Sequence, residues 1–221
     1  VHYSTFDGCA LAYEGYHYWK NWKSYLDFED ESGLAKFIEC GCMIYQTEQN
    51  EYLKKVIDRA QELNIPHELW DSQKIKEMLR IADTDQFGPV KAVDDKNFGN
   101  STGLSLRGSV FFPTAGYVND PQLSAHNLQR AAEAKGADFL FGKKVIEIIK
   151  ENGRAAGVVL EGGRKIFSKT IVNVAGPHSM KINQMADVEK DMNIKTRALK
   201  VEVCHVPSPA GYNYEKEGFV I

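Results

Sequence analysis

The chain has 221 residues, 43% hydrophobic and 11% aromatic, enough to bury roughly 70% of the surface that its unfolded form exposes, which excludes general disorder. Twenty-seven basic and thirty acidic residues leave a net charge of -3, and no long block of one sign is present to track a phosphate backbone, so no nucleic-acid partner is expected. No apolar run reaches the roughly 20 residues that cross a bilayer, and Val1-His2-Tyr3-Ser4-Thr5 lacks the basic start and apolar centre of a secretory signal, so a cytoplasmic protein with no membrane span is expected.

The chain starts at Val1 and not at Met, and is expected to begin inside a longer gene product. Residues 10 to 28 carry Leu11, Tyr18, Trp22, Tyr25 and Leu26 at helical spacing, which predicts an aromatic-rich amphipathic helix packed on the core. After Glu29-Asp30-Glu31 and Gly33, residues 37 to 46 read as a strand. Thr47 can cap a helix bearing Leu53, Val56, Ile57, Ala60 and Leu63, and residues 65 to 69 return as a strand. Asp71 or Ser72 opens a shorter helix to Arg80, and residues 82 to 104, rich in Gly, Asp and Asn, predict a long loop.

Residues 109 to 113 predict a short strand and residues 114 to 117 a turn. Asp120-Pro121 puts a capping carboxylate before a proline suited to the first helical turn; Ala125, Leu128, Ala131, Ala132 and Lys135 continue that helix, and Gly136 ends it. Its alanines suggest a helix lying close against a sheet. Residues 137 to 141 are expected as a strand. A meander over residues 144 to 150, 155 to 160 and 164 to 167 is turned at Asn152-Gly153 and Gly162-Gly163. Residues 170 to 175 predict an apolar buried strand interrupted only by Asn173, and the alternation of Leu199, Val201 and Val203 starts a further strand over residues 197 to 206.

Few residues carry chemistry by themselves. Four cysteines do not make a disulfide scaffold, and Cys40-Gly41-Cys42 has no second pair at zinc spacing, so reduced thiols and no metal site are expected. The six histidines are scattered without an HExxH pattern. Gly136 to Lys144 imitates a P-loop but has five residues between its glycines and Lys where Ser or Thr would hold magnesium. Asn100-Ser101-Thr102 reads as a polar loop and not as a glycan acceptor. Ala175-Gly176-Pro177, following an apolar strand, exposes main chain with almost no side chain and lets a ligand approach closely; the same residues also suit a plain strand-to-loop turn.

Residues 112 to 121 (Phe-Pro-Thr-Ala-Gly-Tyr-Val-Asn-Asp-Pro), with Leu123, Leu128, Ala131-Ala132, Gly136-Ala137, Val145, Gly157-Val158 and residues 171 to 177 (Ile-Val-Asn-Val-Ala-Gly-Pro), resemble as an ordered set the D-amino-acid oxidase superfamily of FAD-dependent oxidoreductases, its sarcosine oxidase and dimethylglycine dehydrogenase branch above all. The match is close over residues 109 to 181 and looser over residues 41 to 45. It implies a mixed α/β (α+β) architecture: a partial FAD-binding Rossmann-like domain with a β-meander, plus part of a mixed-sheet substrate-binding domain. Residues 1–34 and 117–181 would belong to the flavin domain, and residues 35–116 and 182–221 to the substrate domain. The backbone at Val145 would lie against the adenine end of FAD, while Ala175, Gly176 and Pro177 would approach its pyrophosphate.

The implied reaction is oxidation of a carbon–nitrogen bond of an amino acid or of a secondary or tertiary amine, the small-molecule partner. Relatives on the same fold oxidise carbon–oxygen bonds, which keeps a hydroxy-acid or glycerol-phosphate dehydrogenase open, and a non-catalytic binding module is the alternative of another class. The chain lacks the family's GxGxxG and its following acidic residue, so by itself it is expected to bind FAD poorly and to turn over nothing. No catalytic residue is assigned, and His2 and Tyr3 are expected to be surface residues.

Overall fold

The structure is a computed structural model that describes residues 3–47, 51–204 and 206–221. It divides into two compact units, residues 1–137 with 207–221, and residues 138–206.

In the first unit the expected helix over residues 10 to 28 is two helices, α1 (Phe6–Lys20) and α2 (Trp22–Leu26). The break falls at Asn21, whose Nδ2 donates to the His17 carbonyl at 2.9 Å and competes with the helical ladder there. Of the five residues that suggested one apolar face, only Trp22 and Leu26 are buried; Leu11, Tyr18 and Tyr25 are exposed. The predicted strand over residues 37 to 46 is likewise interrupted, giving β1 (Phe37–Ile38) and β2 (Cys42–Gln46) on either side of Gly41, which has φ +87°. Helix α3 (Tyr52–Glu62) begins five residues beyond Thr47, with Glu51 in the cap position. Strand β3 (Glu68–Trp70) follows, then α4 (Ser72–Met78), whose cap Asp71 accepts from the Lys74 N–H at 2.7 Å.

Strand β4 (Gly108–Phe112) lies between β2 and β3 in an antiparallel three-stranded sheet. The alternation of β4 sends its two faces to different cores. Val110 and Phe112 meet Leu53, Val56 and Ala60 of α3, whereas Phe111 lies on the other face with Met43, Trp70, Ile75 and Leu79. Strand β5 (Tyr117–Val118) pairs with β1, and α5 (Pro121–Ala134) follows with Asp120 as its cap, the Asp120 side chain accepting from Leu123 N–H. Ala131 of α5 packs with Trp22 and Leu26 of α2. The chain's last residues return to this unit, and Val220 bridges in parallel to Cys42 at the free edge of β2.

The second unit is built on the antiparallel meander β6 (Val145–Glu151), β7 (Arg154–Leu160) and β8 (Lys165–Phe167). Its first hairpin turns through Asn152 and Gly153 at φ +51° and +75°, as a two-residue primed turn requires. Helix α6 (Ser179–Met185) packs against β6, and Lys150 of β6 pairs with Asp187 just beyond α6. Three expected strands are not formed. Residues 137 to 141, 170 to 175 and 197 to 206 have no ladder partner among the described residues, and most of their apolar side chains are exposed, Val172 by 75% and Val174 by 86%. A short helix, α7 (Tyr214–Glu217), precedes Val220 in the first unit. Among the described residues no helix is long and apolar enough to cross a membrane.

Candidate functional site

Two places have the makings of a site, one in each unit, and the first was not legible in the sequence. In the first unit, β1, β5, α7 and the segment after it border a half-open pocket of about 230 Å³ whose lining includes Ile38, Cys40, Tyr117, Tyr214, Phe219 and Val220. Close backbone approach builds its rim: a Cβ on Gly116 would overlap the carbonyl oxygen of Ile38, so glycine is what allows β5 to lie on β1 here. Backbone hydrogen bonds fix the opposite wall, with Met43 N–H donating to Val220 O at 2.8 Å and Val220 N–H to Gly41 O at 3.1 Å. The Phe219 ring meets the Phe111 ring edge to face at 5.4 Å. Behind this wall, Arg80 donates to the Gly211 carbonyl at 2.7 Å and to both carboxylate oxygens of Glu217, tying residues 211 to 217 down. Burial pushes the Cys42 thiol above its ordinary value, and Cys40 Sγ contacts the Gly41 carbonyl at 3.5 Å. No charged side chain lines the cavity.

The second place is the stretch expected to meet FAD, in the second unit. Val145 is half-buried at the start of β6, which is an edge strand of its sheet. Ala175, Gly176 and Pro177 are exposed and lie at the entry to α6, with Gly176, Pro177 and His178 forming a 3-10 turn. Gly176 has φ +54°, a left-handed conformation that favours glycine, and a Cβ there would meet nothing within 4 Å. Asn173 holds this turn. Its Oδ1 accepts from Ala175 N–H at 3.1 Å, while its Nδ2 donates to Ser179 O at 2.9 Å and to Asn183 Oδ1 at 2.8 Å. The main chain at Ala175 and Gly176 is therefore open and shaped without side-chain cover, which fits a ligand held by backbone groups. Of the two terminal residues considered, Tyr3 is exposed and His2 lies outside the described residues.

The family model described as FAD dependent oxidoreductase, DAO, matches residues 7–219. The chain belongs to this family. The DAO family is FAD-dependent by description. No curated protein sequence matches the chain. Among solved structures, the chain is similar to L-proline dehydrogenase from P. horikoshii at 19% identity and TM-score 0.62, covering 85% of this chain and 43% of that one. It is similar to glycine oxidase from Bacillus cereus at 20% identity and TM-score 0.52, covering 79% and 42%. NikD, an amino acid oxidase of nikkomycin biosynthesis, matches at 18% identity and TM-score 0.53, covering 83% and 40% in the form carrying a Tyr-to-Phe mutation. The chain thus spans less than half the length of these structures, and the likeness is one of fold: helices with small antiparallel sheets in the DAO arrangement.

Proposed function

We propose that this chain is part of an FAD-dependent oxidoreductase that oxidises the carbon–nitrogen bond of an amino acid or of a secondary or tertiary amine, acting as a cytoplasmic protein on a small-molecule substrate. The observation that carries the reading is the exposed turn at Ala175, Gly176 and Pro177, placed after the β6–β8 meander in a chain matched by the DAO family from residue 7 to residue 219. In this reading Val145 presents backbone to the adenine end of FAD, and Ala175, Gly176 and Pro177 border the pyrophosphate. Residues 1–34 and 117–181 belong to the flavin domain, and residues 35–116 and 182–221 to the substrate domain. When bound, FAD supplies the redox chemistry by accepting hydride from the carbon next to nitrogen, leaving an imine that water hydrolyses. The protein contributes contact and orientation. The solved structures named for proline dehydrogenation, glycine oxidation and amino acid oxidation favour nitrogen-bearing substrates over hydroxy acids.

The test is spectroscopic. The whole encoded polypeptide, purified with FAD, should show flavin absorbance that bleaches anaerobically on addition of L-proline, glycine or N,N-dimethylglycine. Bleaching by a 2-hydroxy acid or by glycerol phosphate, with none by any amine, would replace this reading with carbon–oxygen oxidation. Absence of flavin absorbance after FAD is added would leave a binding module.

A further inference from the structure

A second half-open groove of the first unit, of about 590 Å³, lies between helix and strand. Trp19, Lys20 and Lys23 of α1 and α2 stand on one side, and residues 34 to 39, which include β1, on the other. Among the described residues β1 has a ladder partner on one edge only, β5. Lys36 fixes which backbone groups face that partner: its N–H donates to Asn119 Oδ1 at 2.7 Å, and its carbonyl accepts from Asn119 N–H at 3.0 Å. Successive residues of an antiparallel strand turn their backbone groups to opposite edges, so Phe37, one residue on, turns its N–H and C=O away from β5. A free edge of this kind is a template for one more strand.

Charge along the groove is unbalanced. Lys20, Lys23 and Lys36 line it against the single carboxylate of Glu39, in a chain whose net charge is -3. Lys20 is shared between Glu39 at 3.1 Å and Tyr16 Oη at 2.9 Å, and Lys23 reaches Glu29 at 3.1 Å. Both ion pairs are open to solvent, where such contacts hold weakly and give way to a better-placed carboxylate. Lys36 is exposed and has no ion pair among the described residues. We propose that this groove docks an acidic, extended segment of a partner protein, which adds as a strand to the free edge of β1 and sets its carboxylates against Lys20, Lys23 and Lys36. Main-chain bonds to Phe37 then supply the pairing, and the three lysines select the sign of the partner.

The experiment titrates the whole encoded polypeptide into a fluorescein-labelled peptide of alternating glutamate and valine and follows fluorescence polarisation. The same peptide with lysine for glutamate, and with proline for valine, are run beside it. The glutamate–valine peptide should bind saturably and weaken several-fold as salt is raised. The lysine peptide should not saturate, and the proline peptide, which lacks N–H groups that a ladder needs, should bind about tenfold more weakly. Lys36→Glu and Lys23→Glu, both at exposed side chains, should each weaken the acidic peptide about three- to tenfold. Lys76→Glu, exposed on α4 and outside the groove, should leave its binding unchanged. No saturation with any peptide, equal binding of the glutamate and lysine peptides, undiminished binding of the proline peptide, or a loss in Lys76→Glu equal to that in Lys36→Glu would overturn the proposal.

Discussion

Asn127 is the side chain on which the packing of α2 against α5 depends. It is fully buried, and its amide is used on both ends. Oδ1 accepts from Ala35 N–H at 3.0 Å and, at a longer 3.4 Å, from Trp22 Nε1–H, while Nδ2 donates to Gly33 O and to Asp30 Oδ2, both at 2.8 Å. One side chain thereby satisfies a helix, a loop and a carboxylate whose side chain is only 3% exposed. Asn127→Leu keeps the branching at Cγ and removes every one of these bonds. The buried Ala35 N–H is then left without a partner, at about 1–3 kcal/mol, and the exposed Gly33 carbonyl returns to water at about 1 kcal/mol. The expected loss is therefore about 3 kcal/mol, before any effect on Asp30, and roughly 6–12 °C in Tm for a unit of this size. Urea unfolding followed by tryptophan fluorescence measures it, since Trp22 sits in the cluster concerned. Asn127→Asp sharpens the reasoning: it keeps the acceptors but turns the two donors into a second carboxylate facing Asp30, so it should be the worse variant at neutral pH and recover as acid protonates the pair. A loss under about 1 kcal/mol in Asn127→Leu, or no acid recovery in Asn127→Asp, would refute the role given to this amide.

Three further outcomes are expected. Gly116→Ala would drive a methyl into the backbone carbonyl of Ile38, which cannot rotate away, so it should separate β5 from β1 and lower Tm in a thermal melt followed by circular dichroism, while Gly33→Ala, with open space at its Cβ but φ +80°, should cost less. Asp30 has its carboxyl held below the usual range, first by the Asn127 amide and then by the Ser32 N–H. A depressed folded value means stability that is present above the unfolded carboxylate pKa of about 3.9 and is lost as pH falls through the folded value. Asp30→Asn should therefore flatten the acid limb of the stability–pH profile, and a profile identical to that of the native chain below pH 4 would contradict it. Asn173→Ala should raise hydrogen exchange at Ala175 N–H by tenfold or more without changing the β6–β8 amides; unchanged exchange at Ala175 would show that the turn does not need Asn173.

The elements written in local chemistry were the legible ones. Asp71 before α4 and Asp120-Pro121 before α5 act as the caps their sequence signals imply, and Asn152-Gly153 turns the meander where expected. What failed were strands read from apolar content alone. An apolar run permits a strand, but a strand forms only where a neighbour accepts its N–H and C=O groups. Residues 170 to 175 and 197 to 206 have no such neighbour among the described residues. Length misled in the same way at residues 37 to 46, where Gly41 at φ +87° takes the chain out of the pleat between two ladders. The helical stripe over residues 10 to 28 was too generous because periodicity does not say which turn of a helix meets a core, and Asn21 ends α1 before the stripe does.

The site divides along the same line. Val145 and the Ala175–Pro177 turn are proposed through an ordered resemblance, since contacts made by main chain would leave little trace in side-chain identity. The aromatic cavity left no local trace at all, because Tyr117 stands about a hundred residues before Tyr214 and Phe219, and the parallel bridge of Val220 to Cys42 that closes the wall has no sequence signal. Asn173 shows how one residue can be read correctly as an exception and wrongly as to its meaning. In the sequence it interrupts an apolar strand; in the structure its amide collects Ala175 N–H, Ser179 O and Asn183 Oδ1. Those three bonds tie Asn173 to the chain on both sides of Gly176 and Pro177. The polar residue in the apolar run is thus what orders the turn, and a valine at that position would have left Ala175 and Gly176 with no side chain to hold them.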